Sequence, residues 1–302
     1  MKMVKRALGA ISMTATAAMW SAPAAAAWTM NLRQGVTELS REIYDLHMLI
    51  LWICVAIAVA VFGVMIYSIA TFRKSKGAVS ASFDHNTKAE IIWTVIPVAI
   101  LVAMAVPAAR TLVKIDDTSG ADMTVKATGY QWKWQYDYVD DGVSFFSTLS
   151  QASNEARQLD SGIDVNQVEH YLLDVDNPLV VPVGKKVRVL VTAADVIHNW
   201  WVPDFGMKKD AIPGFINELW FKAEKVGTYR GQCAELCGRD HGFMPIVVRV
   251  VEQAEYDSWL ASQKAARQAA AAPAAQTAGV TVESAAPAAT VTTTTVLVAN
   301  AE

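Results

Sequence analysis

Residues 231–245 have the sequence GQCAELCGRDHGFMP and concentrate soft metal-ligand side chains in one short loop. Four such side chains occupy the twelve positions from 233 to 244, namely Cys233, Cys237, His241 and Met244. The whole chain of 302 residues has only three cysteines and five histidines, so this loop holds a large share of them. Thiolate, imidazole and thioether groups together favour copper. The stretch therefore predicts a metal centre between the strands that flank it.

Zinc, a disulfide and a single copper ion are the alternative uses of the two cysteines. Structural zinc would take His198 as its fourth ligand, but the spacing is not C-x2-C and a methionine lies in register with the other ligands. A disulfide, which an exported protein allows, would leave the histidines and Met244 without a role. One copper with one thiolate would leave the second cysteine unexplained. Two coppers that share both thiolates use every ligand, with His198, at the end of the predicted strand VRVLVTAAD, as the second imidazole.

The composition predicts a membrane protein. The chain is 53% hydrophobic and 18% charged, whereas a soluble domain has roughly 25% charged residues, and the mean hydropathy is +0.25. Uncharged runs cover residues 46–72 and 91–109, and about 20 apolar residues suffice to cross a bilayer. The segment between them is rich in lysine and arginine, so the positive-inside rule places it in the cytoplasm and both termini outside.

The rest of the chain predicts a leader, a β-domain and a tail. A basic start, an apolar stretch and three alanines before Trp28 are typical of a signal peptide. Short β-branched and aromatic runs separated by turn residues predict an antiparallel sandwich or a Greek-key barrel. The predicted segments are a signal peptide (1–27), a periplasmic segment (28–44), transmembrane helix 1 (45–73), a cytoplasmic loop (74–89), transmembrane helix 2 (90–112), the β-domain (113–265) and a low-complexity Ala/Pro/Thr tail (266–302).

The β-domain is acidic. Residues 115–262 contain 22 Asp and Glu against 13 Lys and Arg, a balance of −9. This balance favours a basic protein partner and argues against nucleic acid. Within the domain, the run GYQWKWQYDY alternates so that four aromatic side chains would share one face of a strand. These are Trp132, Trp134, Tyr136 and Tyr138.

Three stretches and the two predicted spans resemble subunit II of haem-copper cytochrome c oxidase of the bacterial aa3 type. The stretches are GQCAELCGRDHGFMP, HNWWVPDFGMKKDAIPG and GYQWKWQYDY, and the resemblance covers roughly residues 45–260. It implies an all-β cupredoxin-like domain, a Greek-key sandwich or barrel, preceded by a two-helix transmembrane hairpin. It also implies a binuclear CuA centre of two copper ions. The implied copper ligands are His198, Cys233, Cys237, His241, Met244 and the backbone carbonyl of Glu235.

The resemblance implies a docking surface for a basic cytochrome c. Trp132 would be the surface point at which an electron arrives from this donor. An acidic rim would attract the lysines of the donor. The implied rim residues are Asp137, Asp140 and Asp195.

The resemblance also implies contacts with the other oxidase subunits. Glu90, at the cytoplasmic start of the second span, would be the entrance of a proton path into subunit I. The Glu235 side chain would help to hold a magnesium ion at the boundary with subunit I. The implied function is electron input to a proton-translocating respiratory oxidase in the bacterial inner membrane, with the copper domain in the periplasm. Electrons would pass to haem in subunit I, so the chain alone is not expected to reduce oxygen.

Two other classes of protein remain as alternatives. A quinol oxidase subunit II would lack the paired cysteines. A membrane-anchored copper carrier would need neither Trp132 nor a second span. We expect no haem in this chain, because c-type attachment needs CxxCH and Cys237 is followed by Gly-Arg-Asp-His. His170, in VEHYLLDV, and Cys54, within the first span, are expected to be ordinary packing or surface residues.

Overall fold

The structure, a computed structural model, describes residues 31–79 and 81–271. The predicted signal peptide and the part of the predicted tail beyond residue 271 lie outside the described residues. Residues up to Asp257 form one compact unit, and a second unit starts at Ser258. The last described element is a helix, Gln253–Ala271, so the first residues assigned to the tail are helical.

Two long apolar helices make the chain a membrane protein. Helix α1 (Glu38–Thr71) has 34 residues and helix α2 (Thr87–Asp116) has 30 residues, with mean hydropathies of 3.0 and 2.4 in their most apolar windows. At about 1.5 Å per residue, each helix is longer than the roughly 30 Å of hydrocarbon in a bilayer. Helix α1 begins seven residues before the predicted span 45–73 and ends two residues before its end, whereas α2 extends past the predicted span 90–112 by three residues at its start and four at its end.

Side-chain caps determine where these helices begin. The Thr37 hydroxyl accepts a hydrogen bond from the Ser40 amide at 3.0 Å, and the Ser40 hydroxyl accepts one from the Thr37 amide at 3.1 Å. The Asn86 side chain accepts from the Ala89 amide at 3.1 Å at the start of α2. These bonds satisfy backbone donors that the first helical turn leaves unpaired.

Ten strands follow the helices and form two five-stranded sheets. The strands are β1 (Met123–Tyr130), β2 (Lys133–Tyr138), β3 (Val143–Ser147), β4 (Leu179–Pro182), β5 (Lys186–Ala193), β6 (His198–Val202), β7 (Met207–Ala211), β8 (Asn217–Lys222), β9 (Gly227–Cys233) and β10 (Pro245–Val251). A short helix α3 (Gln151–Ala156) follows β3, and the terminal helix is α4 (Gln253–Ala271). The sheet orders are β3-β2-β1-β5-β8 and β4-β10-β9-β6-β7.

The two sheets form the predicted β-sandwich, but each contains a parallel strand pair. β1 pairs with β5 in parallel, and β10 pairs with β4 in parallel, while the other pairs are antiparallel. The predicted antiparallel sandwich is therefore confirmed in its main features and contains one parallel pair in each sheet. Alternation predicted the strands correctly: Val187, Val189 and Val191 of β5 are fully buried and alternate with half-buried residues.

The aromatic run GYQWKWQYDY does not form one strand. Tyr130 of β1 pairs with Lys133 of β2 across a tight turn, and Trp132 lies in that turn. Three of the four aromatic residues are fully buried on β2, namely Trp134, Tyr136 and Tyr138. Trp132 is half-buried at the end of the hairpin, so it does not share their face. Aromatic residues continue to alternate with other residues through the turn, but in a turn this alternation does not tell which face a side chain occupies.

Polar contacts join the outer ends of the two helices to the sandwich. The Thr37 hydroxyl donates to the Phe205 carbonyl at 3.1 Å, and the Trp220 indole donates to the Lys114 carbonyl at 3.2 Å. The Lys114 ammonium also binds the Glu38 carboxylate at 2.6 Å, which ties α2 to α1. The sandwich is thus held at the helix ends remote from the segment that joins α1 to α2.

Gly231 is expected to be indispensable for the pairing of β6 with β9. A Cβ atom at this position would lie 2.0 Å from the Trp201 carbonyl oxygen. Because a backbone atom cannot move aside as a side chain can, Gly231→Ala should destabilise the sandwich by about 3 kcal/mol or more. Thermal unfolding of the purified chain, followed by tryptophan fluorescence, measures this loss. The exposed Thr228→Ala in the same strand is the control and should unfold like the parent; equal unfolding of the Gly231 variant would contradict the expectation.

Candidate metal centre

The pairing of β6 with β9 brings His198 and Cys233 together. Trp200 of β6 is the register partner of Cys233, the last residue of β9. His198 is the first residue of β6 and is fully buried. The chain then continues from Cys233 through the loop that carries the remaining ligand candidates and re-enters the sheet as β10. Four soft ligand candidates of the set are buried together: His198, Cys233, Cys237 and Met244.

The two cysteine sulfurs are the centre of this cluster. They are unbonded and lie 3.8 Å apart. Cys233 Sγ lies 3.9 Å from His198 Nδ1 and 3.3 Å from the Glu235 carbonyl oxygen. Ligand atoms of His198 and both cysteines all lie within 4.8 Å of one another.

Cys237 has a second and separate set of neighbours. Its sulfur lies 3.5 Å from His241 Nδ1 and 3.6 Å from Met244 Sδ. Each sulfur therefore has its own imidazole nitrogen and its own weaker ligand, a carbonyl oxygen or a thioether. The sulfurs, the two imidazole nitrogens, the thioether and the carbonyl oxygen are donors that soft metal ions such as copper accept, so these residues could hold a copper centre.

Burial and hydrogen bonds together determine the protonation of the two cysteine side chains. Burial raises the pKa of Cys233, but hydrogen bonds from His198 and from the backbone outweigh it and lower the pKa to about 7. Burial and the neighbouring Cys233 charge raise the pKa of Cys237 to about 12. One thiolate is therefore available near neutral pH, and the second proton leaves when metal binds.

Asp195 orients the His198 ring. Its carboxylate accepts hydrogen bonds from His198 Nε2 at 2.9 Å and from the Gln131 amide at 2.7 Å. Burial raises the pKa of Asp195, but these bonds and one from the Val196 amide lower it overall. Burial likewise lowers the pKa of His198, whereas the bonds to Cys233 and Asp195 raise it overall. With Nε2 held by a carboxylate, Nδ1 points at the sulfurs, an arrangement common among metal-binding histidines.

Gly129 provides the space for this ring. A Cβ atom at Gly129 would lie 2.7 Å from His198 Cδ2. Neither the role of Gly129 nor the orienting role of Asp195 was predicted from the sequence. The one sequence signal for this packing is a glycine within a predicted strand, since such a glycine often marks the close approach of another group.

Trp132 is joined to the ligand loop through Cys237. Its indole Nε1 donates to the Cys237 carbonyl oxygen at 3.2 Å, and the Gln131 side-chain amide donates to the same oxygen at 2.9 Å. Gly238 follows with φ of +114°, and a Cβ there would lie 3.2 Å from the Trp132 ring. A side chain larger than hydrogen at residue 238 would therefore be strained and would press on the ring.

The structure does not bring the three predicted rim carboxylates together. Asp137 forms an ion pair with Lys126 at 3.0 Å. Asp140 lies in the turn after β2, at the opposite end of this strand from Trp132. Asp195 points to His198, as described above.

Two further predicted residues lie outside the ligand cluster or contribute only their backbone. Glu90 is in the first turn of α2, where its carboxylate lies 3.0 Å from His85 Nδ1. Glu235 is exposed, and its carbonyl, not its side chain, faces Cys233. His170 pairs with Glu169 and is not among the ligand candidates that cluster in the described part of the chain.

Two family models match most of the chain. "Cytochrome C oxidase subunit II, periplasmic domain" matches residues 123–251, and "Cytochrome C oxidase subunit II, transmembrane domain" matches residues 25–110. The "Probable cytochrome c oxidase subunit 2" of Rickettsia bellii (strain RML369-C) is 41% identical over 237 residues, which are 78% of this chain and 84% of the relative. "Cytochrome c oxidase subunit 2" of Cereibacter sphaeroides is 40% identical over 238 residues, 76% and 78% of the two chains.

A solved structure is also similar to the soluble part. It is the periplasmic domain of subunit II of cytochrome oxidase of Bradyrhizobium japonicum, 50% identical, with a TM-score of 0.42. The match covers 49% of this chain and 96% of that one.

Gly129→Ala should weaken metal binding, because the new methyl group displaces the His198 ring. Loss of a ligand-orienting contact typically lowers metal affinity by about 10- to 100-fold. Titration of the metal-free chain with copper measures the change. Gly242→Ala is the matched control, since a Cβ at Gly242 meets nothing within 4 Å. Unchanged affinity in the Gly129 variant would refute the proposed packing of the ring.

Proposed function

Because the chain belongs to the family of cytochrome c oxidase subunit II, we propose that its metal centre is a binuclear CuA site. This site would receive single electrons from cytochrome c and pass them towards haem in subunit I. The observation that carries the proposal is the pair of unbonded sulfurs 3.8 Å apart, each with its own ligand set. A single copper ion with one thiolate would leave the second sulfur without a role.

Two copper ions that share both thiolates would spread one electron over two metals, so their geometry would change little between the two redox states. The chain supports this chemistry by keeping its ligands rigid and dry. Met244 and His198 are 1% and 0% exposed. Asp195 fixes the orientation of His198, and the loop between Cys233 and Met244 is closed at both ends by adjacent strands. Such surroundings exclude water and tune the redox potential.

Trp132 is the side chain through which we expect the electron to reach the centre. It is partly exposed, and its indole nitrogen is one hydrogen bond away from the backbone of Cys237. The path from the ring to the sulfur therefore consists of this hydrogen bond and the covalent bonds of a single residue. No other aromatic residue of the β1–β2 hairpin combines exposure with a hydrogen bond to a ligand residue in the described structure.

The remaining assignments concern the membrane and the partner subunits. We place the strand domain on the periplasmic side of the bacterial inner membrane, because the segment joining α1 to α2 is basic. Glu90 would be the entrance of a proton path into subunit I; its carboxylate lies 3.0 Å from His85 Nδ1. The exposed Glu235 side chain would help to hold a magnesium ion shared with subunit I. Oxygen reduction and proton translocation would then be activities of the whole complex.

The purified chain should bind two copper ions and give the electron paramagnetic resonance spectrum of one electron shared by two copper nuclei. Cys237→Ser should abolish this spectrum, because it removes one of the two sulfurs that both metals share. Cys54→Ser, in α1, removes the third cysteine and should change neither copper content nor spectrum. One copper per chain in the parent protein would rule out the binuclear site.

Trp132→Ala should slow the oxidation of cytochrome c without changing the copper spectrum. Removal of the ring breaks the hydrogen bond to Cys237 and lengthens the path of the electron, so we expect kcat/KM to fall by about tenfold or more. The assay is steady-state oxidation of reduced cytochrome c by the oxidase complex. Phe146→Ala, on the adjacent strand β3 and 43% exposed, is the matched control. If Trp132→Ala retains full turnover, the electron reaches the centre elsewhere.

A further inference from the structure

The segment that joins the second membrane helix to the sandwich is short and is hydrogen-bonded at both ends. We call residues 117–122, between the end of α2 and the start of β1, the α2–β1 connection. The Asp117 and Thr118 amides donate to carbonyls in the last turn of α2. At the other end, the Asp122 amide donates to the Lys186 carbonyl of β5 at 2.8 Å. Because a mobile linker would have few such bonds, this connection restricts movement of the sandwich relative to α2.

One ammonium group, that of Lys186, holds the middle of the α2–β1 connection. Lys186 is the first residue of β5, and its Nζ donates to the Asp117 carbonyl at 2.8 Å and to the Ser119 carbonyl at 2.6 Å. An ammonium group has three donors, so two of the three serve the connection. The same Nζ lies 4.2 Å from the centroid of the Trp220 ring, within the range of a cation–π interaction. Lys186 thus joins two strands of the first sheet to the connection.

Strand β8 takes part in the same junction. Its Trp220 indole donates to a carbonyl in the last turn of α2 at 3.2 Å, and its Glu218 carboxylate accepts from the Thr118 hydroxyl at 2.9 Å. The Arg188 Nε donates to the same carboxylate at 2.9 Å and so orients it. Arg188 is the register partner of Trp220, and residues two apart on a strand share a face. The side chains of β5 and β8 that contact the connection, including that of Lys186, therefore project from one face of the sheet.

A second junction fixes the start of α1 to the residues that follow β8. The Val36 amide donates to the Asp204 carbonyl at 2.9 Å, and the Glu224 amide donates to the Val36 carbonyl at 3.0 Å. The Arg41 guanidinium also binds the Glu224 carboxylate at 2.7 Å. Lys114 joins α2 to α1, as described above. The sandwich is therefore attached to both helices, and each attachment limits its tilt relative to them.

The other lysines at the first junction form weaker links than Lys186. Lys185 binds Asp122 at 3.6 Å, and Lys209 binds Asp116 at 3.8 Å. The partners of both pairs are accessible to solvent, and ion pairs of this kind contribute little. Lys186 is half-buried and binds backbone carbonyls, whose positions the connection itself fixes. Among these lysines, Lys186 is the one whose loss should loosen the junction most.

We propose that Lys186 is a positioning residue for electron transfer, because its two bonds to the α2–β1 connection hold the sandwich, and with it the metal centre, at a fixed height and angle over the membrane helices. The proposal rests on the function proposed above. In the step that it serves, one electron leaves this subunit and reduces a ferric haem of subunit I to the ferrous state, and no bond is made or broken. The rate of such a transfer falls steeply with distance, so a sandwich that tilts would deliver electrons more slowly.

The first measurement uses the full chain in lipid bilayer discs and needs no turnover. Cys54 is exposed in α1 and can carry a nitroxide label, while bound copper protects the two ligand cysteines. Pulsed electron paramagnetic resonance then gives the distribution of distances between the label and the bound paramagnetic copper. Lys186→Met keeps the apolar stem but loses the donors, so it should broaden this distribution. Lys186→Arg can still donate to two carbonyls and should keep the width of the parent protein.

Lys222→Met is the matched control. Lys222 is the register partner of Lys186 on β8 and is exposed, so this variant makes the same change of side chain and net charge on the neighbouring strand. It should leave the distance distribution unchanged. Copper content and spectrum should be those of the parent protein in all three variants, since β5 and β8 belong to the sheet that does not carry the ligand candidates. An unchanged distribution in Lys186→Met, or equal broadening in Lys222→Met, would overturn the proposal.

The second measurement uses the same variants in the intact oxidase complex and separates positioning from donor binding. Flash excitation of a ruthenium-modified cytochrome c injects one electron, and absorbance follows its arrival on this subunit and then its passage to haem. Lys186→Met should slow the second phase by about tenfold, because the reacting groups are misplaced, and Lys186→Arg should restore it. KM for cytochrome c should be equal in Lys186→Met and Lys222→Met, which carry the same net charge. Equal rates of the second phase in all variants would refute the positioning role.

The failure of this inference can be told apart from the failure of the proposed function. If electrons pass from this subunit to haem at a rate that does not depend on residue 186, only the positioning role fails. If the parent complex passes no electron from this subunit to haem, there is no transfer for Lys186 to serve and both proposals fail.

Discussion

The close approach of β6 to β9 is the constraint on which the metal centre depends. The Trp201 carbonyl occupies the space that a side chain at residue 231 would need, so only glycine allows the two strands to pair there. This pairing aligns Trp200 with Cys233 and thereby places His198 beside the first sulfur. On its other side, β9 pairs with β10 so that Gln232 faces Pro245. The ligand loop is therefore closed at both ends by the same sheet, which brings its ligand candidates into one region.

A network of hydrogen bonds connects the surface of the domain to this loop. Asp195 holds His198 on one side and the Gln131 amide on the other. Gln131 and Trp132 both donate to the carbonyl of Cys237. The turn of the β1–β2 hairpin is thus fixed to two ligand residues at once. Under the proposed function, the residue that would contact the donor and the residues that would bind copper belong to one hydrogen-bonded unit. Docking at Trp132 would then not need to be transmitted through mobile segments to reach the centre.

The sequence predicted what depends on local pattern and failed where the answer depends on distant contacts. The ligand loop and the two helices were identified because their residues are neighbours in the chain. The turn at Trp132 was missed because it lacks the Asn-Gly or Gly-rich signal of a tight hairpin, and alternation continues across it. Asp195 looked like a surface charge, since nothing nearby in sequence indicates that its carboxylate turns inward. In the sequence Gly129 resembles an ordinary strand residue, whereas in the fold the His198 ring packs against it. The parallel pairing of β1 with β5 and of β4 with β10 was not predicted either, because the residue pattern of a single strand does not say which strand it pairs with.

The net charge of the domain does not determine the charge at the surface that a partner would contact. A balance of −9 gives the sign of the long-range field, but it does not say where the field is strongest. In the folded domain two carboxylates near Trp132 are paired internally, Asp195 with His198 and Asp240 with Arg157 and Arg239. A redox partner must arrive quickly and leave quickly, and strong opposite charges at the point of contact would favour the first at the expense of the second. An acidic domain whose carboxylates near Trp132 are paired internally separates these two requirements: the more distant carboxylates would accelerate the encounter with a basic donor, while the paired ones would add little to the lifetime of the complex.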